Sequence, residues 1–377
     1  MIYLDHNATT PPAPEVVEAM TASLTQEWGN PSSMHACGQQ ARAACESARR
    51  SLAWLIHAQP SNILFTSGAT EAVTQLLLGP LLMPGAQPRH LIISAIEHPC
   101  VLEPAHVLET LGWRVTRVGV DAAGRVNPQA VAAAIRPDTA LISIMLANND
   151  TGVIQPVQEI AALARRHHLL MHTDAVQAVG RIPVDFEAFR IDFLTLSAHK
   201  FYGPKGVGAL VVRDVTTLAP LLFGGSQERS LRAGTENLPG ICGLGAAARL
   251  AARKMDADAV RLAALRDRLQ AGLLTVFPDA CVNGGHALRL PNTLNITFPG
   301  IDAVTAVMNL DIADIAVATT SACSTAARQP PYVLTAMGLP PEAALASLRF
   351  SLGRANTEAE IDRVIATLTH LIPQLRS

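Results

Sequence analysis

The chain has 377 residues, a formal net charge of -2, 49% apolar residues and 16% charged residues. That length accommodates one large domain plus a smaller one, and the apolar fraction supplies a sizeable core. The near-neutral charge and the lack of any basic run argue against a nucleic-acid binder working through bulk charge, and no uninterrupted apolar stretch is long enough to span a bilayer.

The first residues, MIYLDHNATT, lack the basic and apolar regions of a signal peptide, so a soluble, cytoplasmic protein is expected. Pro11, Pro12 and Pro14 suggest an extended arm. Ile63–Phe65 reads as a strand, and TSGATEAVTQLLL after it as a turn into a helix. His90–Ser94 reads as a strand before IEHPC, Ala140–Leu146 before ANNDTG, and Leu169–His172 before TDAVQAVG. Phe193–Leu196 is followed by SAHK, and Gly208–Val212 adds one more strand. Strands alternating with helices predict an α/β fold with a mainly parallel sheet covered by helices on both faces.

In such sheets ligands bind beyond the carboxyl ends of the strands. Here those ends carry Thr70, His98, Asn149, Asp174 and Lys200, a variety of polar groups that a purely structural sheet does not need. The last third changes character. Ala246–Leu274 reads as one long helix, followed by strand-like LNITF and DIAVA and a helix from Glu358 to about Leu371, ahead of Pro373. The expected division is a large domain at 14–255 and a smaller α+β domain formed by 1–13 and 256–377.

Four of these strand ends have an ordinary alternative. Ser67-Gly68-Ala69-Thr70 suits a helix cap as well as a phosphate cradle at a helix start. Asp174 suits a turn or a buried carboxylate facing a cationic ring nitrogen. His98 suits a satisfied core position or a ring laid on an aromatic cofactor. Lys200 can snorkel to solvent, or lose water at the mouth of the sheet and become nucleophilic. Lys205, past Gly203-Pro204, reads as a solvent or backbone contact. The six cysteines at 37, 45, 100, 242, 281 and 323 show no Cys-x-x-Cys pair and no zinc-like spacing, so no metal site is expected.

A Schiff-base lysine, an acid for a pyridinium nitrogen and a phosphate-binding helix start together make up a pyridoxal phosphate site. At these residues the sequence resembles the cysteine desulfurases, the NifS/IscS branch of the class V aminotransferase group with the fold-type I architecture. The resemblance runs from YLDHNATTPP to RFSLGR. It is carried by GNPSSMHACG at 29–38, SGATEA at 67–72, EHPCV at 97–101, NNDTG at 148–152, HTDAVQAVG at 172–180, SAHKFYGPKG at 197–206 and RAGTEN at 232–237.

The resemblance implies a pyridoxal 5'-phosphate enzyme that converts L-cysteine to L-alanine and bound sulfur. Lys200 would hold the cofactor and move protons, Asp174 would face the pyridinium nitrogen, and Gln177 would bond the phenolic oxygen. His98 would stack on the ring. Ala69, Thr70, Ser197 and His199 would bind the phosphate, with Thr235 reaching it from the partner subunit of a homodimer. Asn149 would orient the substrate and Arg349 would grip its carboxylate, with Arg354 the other candidate for that grip. Cys323, in TTSACSTAARQPPYV, would attack the sulfur and carry it as a persulfide to an acceptor such as an iron–sulfur scaffold or sulfur carrier protein. Two departures from the branch pattern stand out: Ala318, Thr319 and Thr320 replace Ser-Ser-Gly before Ser-Ala-Cys, and Asp150 stands where Glu is common. The alternatives are a selenocysteine lyase or aminotransferase on the same fold, or a non-catalytic docking scaffold, which would need neither Lys200 nor Asp174.

Overall fold

The structure is a computed structural model that describes residues 1–319 and 329–376. Among these, seven strands form the main sheet in the order Ile63–Thr66, Gly208–Val212, Phe193–Ser197, Leu170–Asp174, Thr139–Ser143, His90–Ser94 and Arg114–Val118. The five from Phe193–Ser197 to Arg114–Val118 run parallel. Gly208–Val212 is antiparallel to both of its neighbours. The sheet is mainly parallel, as the alternation of strands and helices predicts.

Four of its strands (Ile63–Thr66, His90–Ser94, Phe193–Ser197 and Gly208–Val212) are buried at every position. Burial on both faces is why they read as continuous apolar runs. The edge strand Arg114–Val118 escapes sequence reading because Arg114 and Arg117 are exposed within it. The ladder of the fifth strand ends at Ser143 rather than Leu146, yet the amides of Ile144 and Leu146 still donate to the carbonyls of His172 and Asp174.

One face of the sheet is covered by the helices Ala69–Leu78 and Pro99–Thr110, which bury Leu76, Leu77, Val101 and Leu108 against Leu91 and Phe193. The other is covered by Pro14–Thr25, Ala36–Leu55, Val157–Arg166 and the first half of Leu238–Val276. That last helix has 39 residues, a length of about 58 Å. Asn237 caps its start by accepting from the Gly240 amide at 3.2 Å. Its second half buries Leu262, Leu265, Leu269 and Leu273 in a separate core. There a four-stranded antiparallel sheet, Ala318–Thr319, Ser347–Ser351, Thr293–Thr297 and Cys281–Val282, packs with the helices Ala303–Ile312 and Glu358–Leu375.

The last helix runs through Pro373 instead of stopping before it. A proline this close to the end removes one intrahelical hydrogen bond that the final turn can forgo. The arm before Pro14 joins the smaller core. Ile2 and Tyr3 pair in parallel with Ile315 and Ala316, and Asp5 bridges to Ser351.

Candidate active site

The five polar strand ends meet in one place. Thr70, His98, Asn149, Asp174 and Lys200 line a single cavity of about 210 Å³, together with Ala69, Gln177, Ser197 and His199. Its remaining wall is Cys100, Met145, Ala147 and Val176, small or apolar residues that carry no chemical signal in sequence. Lys205 is exposed on the far side of the turn. That turn is made by Tyr202, at φ 69°, with the Gly203 amide closing on the Ala198 carbonyl at 2.9 Å.

Lys200 is partly buried, and its Nζ donates to the main-chain oxygens of Asn7 at 2.6 Å and Ala8 at 2.8 Å. Burial lowers the amine to about 8, and the charges of Arg181 and Arg349 push the same way against Asp174 and Asp5. The arm is therefore part of the site, although carbonyl acceptors leave no trace in sequence. The Asn7 side chain donates to the Asn149 carbonyl and to Thr293 Oγ1, both at 3.0 Å, and the Asn7 main-chain carbonyl also accepts from Gln177 Nε2 at 3.1 Å.

Asp174 is 5% exposed. Its carboxylate accepts from the Val176 amide at 2.8 Å and from Cys100 Sγ at 3.8 Å. Burial pushes its pKa up and outweighs the pull of His98 and Lys200. His98 caps the helix Pro99–Thr110: its Nδ1 accepts from the Cys100 amide at 3.1 Å, which leaves the ring proton on Nε2. Burial lowers its pKa and the charge of Lys200 pushes the same way, while Asp174 opposes. Directly before it, Glu97 is fully buried and pushed up to about 8 by desolvation. Its Oε1 accepts from Ser94 Oγ at 2.5 Å and the Met145 amide at 2.9 Å.

At the start of the helix Ala69–Leu78, the Ala69 amide donates to Ser197 Oγ at 2.9 Å. These two expected phosphate ligands are thus bonded to each other. Thr70 is exposed at the mouth. His199 Nδ1 lies 3.1 Å from Thr9 Oγ1, and burial holds the ring at about 4. Three expected residues do not line the cavity. Thr235 is exposed on a loop whose base is fixed by Arg232 on Glu71 at 2.8 Å and by Arg49 on Glu228 at 2.6 Å. Arg349 lies behind Asn149, bonded to Asp5 at 2.8 Å, Asp150 at 3.1 Å and the Asn149 carbonyl at 3.2 Å. Arg354 is held on Asp258 at 2.5 Å and over the Tyr202 ring. Cys323 lies outside the described residues. Sequence reading also missed Arg181, whose signal is its place directly after HTDAVQAVG.

The residues fit pyridoxal phosphate on three counts. The Asp174 carboxylate remains short of compensating positive charge, which a pyridinium nitrogen supplies. Asn149 Oδ1 is buried without a hydrogen-bond partner among the described residues. A partly desolvated amine stands at the end of a strand beside a helix start.

This arrangement on a mainly parallel sheet is that of the fold-type I pyridoxal phosphate enzymes. The chain belongs to the aminotransferase class-V family, which matches residues 2–364, and is an enzyme that uses this cofactor. A cysteine desulfurase IscS from Dictyoglomus turgidum is 44% identical over 376 residues, covering 100% of this chain and 95% of that protein. A cysteine desulfurase from Gluconacetobacter diazotrophicus is 46% identical over 377 residues, covering 100% and 94%. Among solved structures, a NifS-like protein superposes with a TM-score of 0.92 at 36% identity, covering 99% of this chain and 100% of that one. One described as SspA in complex with cysteine gives 0.81 at 35%, covering 93% and 99%.

Proposed function

We propose that this enzyme is a cysteine desulfurase that converts L-cysteine to L-alanine and passes the sulfur to Cys323 as a persulfide. The convergence of Lys200, Asp174, His98 and Asn149 on one cavity carries the site reading, and full-length likeness to cysteine desulfurases carries the substrate. Pyridoxal phosphate supplies an electron sink joined to the substrate's amino group.

The chain's own residues do the rest. Lys200, with its amine lowered to about 8, has a neutral fraction near neutral pH that can attack a carbonyl carbon and later accept and return a proton at Nζ. Asp174 would hold positive charge at the ring nitrogen. Gln177 is held by its bonds to Asn7 and Arg181, and its amide nitrogen, with a second hydrogen to give, would donate to a ring oxygen. His98 would pack against the ring face, and Asn149 would orient the substrate. Ala69, Thr70, Ser197 and His199 form the phosphate end. Arg349 meets the substrate carboxylate by exchanging one of its own carboxylate partners. The Cys323 thiolate attacks the substrate sulfur, the Cβ–S bond breaks, and Cβ takes a proton to become the alanine methyl group.

The further parts of the proposal are a homodimer in which Thr235 reaches the partner's phosphate site, delivery of sulfur to an iron–sulfur scaffold or sulfur carrier, a cytoplasmic location, and a domain boundary near residue 255. No helix among the described residues is long and apolar enough to cross a membrane. The test is alanine and sulfide formed from L-cysteine with a reductant, in wild type and Cys323→Ala. Equal yields from wild type and none from a variant that stays yellow support the proposal. A variant with wild-type rates removes Cys323 from the chemistry and favours a lyase.

A further inference from the structure

Arg181 is a buried cation with an unusual set of partners. It is 9% exposed, and among the described residues no carboxylate forms an ion pair with it. Its acceptors are neutral and belong to three separate pieces of the site. Nη1 donates to the Gln177 side-chain oxygen, and to the Gln177 carbonyl at 3.3 Å. Nη2 donates to the carbonyl of His6 at 2.9 Å and to that of Lys200 at 3.3 Å. Lys200 Nζ caps the next two carbonyls of the same arm, those of Asn7 and Ala8. Arg181 and Lys200 thus sit on consecutive carbonyls, 6 and then 7 and 8.

The local backbone is built for this placement. Gly180 adopts φ +77°, and a Cβ there would lie 2.6 Å from the Cβ of Phe201, the residue after Lys200. Only glycine lets the chain pass so close to the Lys200 turn and still direct Arg181 beneath it. A buried guanidinium left without a counter-ion is costly, so its retention calls for a compensating role.

We propose that Arg181 is a positioning residue that locks Gln177, the arm and the Lys200 backbone into one frame and, through its uncompensated charge, biases the Lys200 nitrogen towards its neutral form. This rests on the cofactor site described above and extends it. The charged and titratable groups facing Lys200 are Arg181 and Arg349, which oppose its charge, Asp174 and Asp5, which favour it, and the histidines His98 and His199. Asp5 and Asp150 already hold Arg349, which leaves Arg181 as the unpaired one of the two arginines. Arg181 is buried and Lys200 partly buried, and charges removed from solvent are screened less than exposed ones.

The test is the pH titration of bound-cofactor absorbance in the holoenzyme, with no substrate present. In Arg181→Met the midpoint rises by about one pH unit relative to wild type. In Arg181→Lys, which keeps the charge and loses the two-pronged fork, the midpoint stays near wild type while cofactor is lost on dialysis about tenfold faster. A midpoint unmoved in Arg181→Met, or moved equally in both variants, overturns the electrostatic role. Cofactor retention unchanged in Arg181→Lys overturns the positioning role, and that measurement stands even if Arg181→Met does not fold. A wild-type protein that takes up no cofactor overturns the site reading itself, an outcome distinct from wild-type and variant enzymes that titrate alike.

Discussion

Arg349 and Asp150 meet at 3.1 Å with side chains only 6% and 3% exposed. Asp5 holds the other end of the guanidinium at 2.8 Å, so a strand of the smaller core, a loop of the main sheet and the arm are joined through one arginine. Breaking a buried pair by removing one partner leaves charge stranded. Arg349→Ala should lose about 3–5 kcal/mol of stability, read from urea midpoints. Arg349→Lys keeps the charge without the fork, and its KM for L-cysteine should rise about tenfold or more with a smaller change in kcat. An unchanged KM would remove Arg349 from carboxylate recognition.

Acid sensitivity follows from His172, buried in the sheet between Ser143 Oγ at 2.8 Å and Thr195 Oγ1 at 3.2 Å. Burial lowers its pKa from 6.5 to about 3. The unfolded chain therefore holds a proton that the folded state refuses between those values. The stability is fully present above the unfolded pKa and is lost as pH falls towards the folded one. His6 and His199, both lowered to about 4, act in the same direction. His172→Gln should flatten the loss between about pH 7 and pH 4.5 by about 2 kcal/mol. A slope identical to wild type would assign the acid sensitivity elsewhere.

The loop that carries Thr235 is anchored by backbone in an uncommon state. Glu228, Arg229 and Ser230 take φ of 43°, 60° and 63° in succession, a costly run for residues with side chains. Bonds from Arg49 to Glu228 and from Arg229 to the carbonyls of Ser61 and Ile63 offset that cost. Glu228→Ala should lower stability by about 3–5 kcal/mol and weaken cofactor retention, while the pH midpoint of bound-cofactor absorbance stays unchanged. Retention equal to wild type would separate this loop from the phosphate end.

Two glycines with the same backbone angle separate strain from contact. Gly180 and Gly85 both have φ +77°, but a Cβ on Gly85 meets nothing within 4 Å, whereas on Gly180 it meets Phe201 at 2.6 Å. Gly85→Ala should cost about 1 kcal/mol through backbone conformation alone. Gly180→Ala should cost clearly more and release cofactor faster. Equal thermal shifts in the two variants would mean that the approach to Phe201 is not tight.

The parts of the site that lie on side chains at strand ends were legible, because a parallel sheet brings successive carboxyl ends to one edge. Thr70, His98, Asn149, Asp174 and Lys200 needed only strand order to be placed together. What was not legible is backbone and context. The carbonyls of Asn7 and Ala8 that hold Lys200 look like those of any residue. The mutual bond of Ala69 and Ser197 depends on how closely two loops approach. Arg114–Val118 hid behind its exposed arginines, and Pro373 did not end its helix because it falls in the last turn.

The arm sets an order on assembly. Ile2 and Tyr3 find their partners at 315 and 316, Asn7 bonds Thr293, and Asp5 bridges Ser351. During synthesis this segment emerges well ahead of those partners and waits for them before its contacts with the smaller core exist. The carbonyls that receive Lys200 are consequently among the last groups to reach their places, so a nascent polypeptide holds an open, unready pocket until its final strands appear.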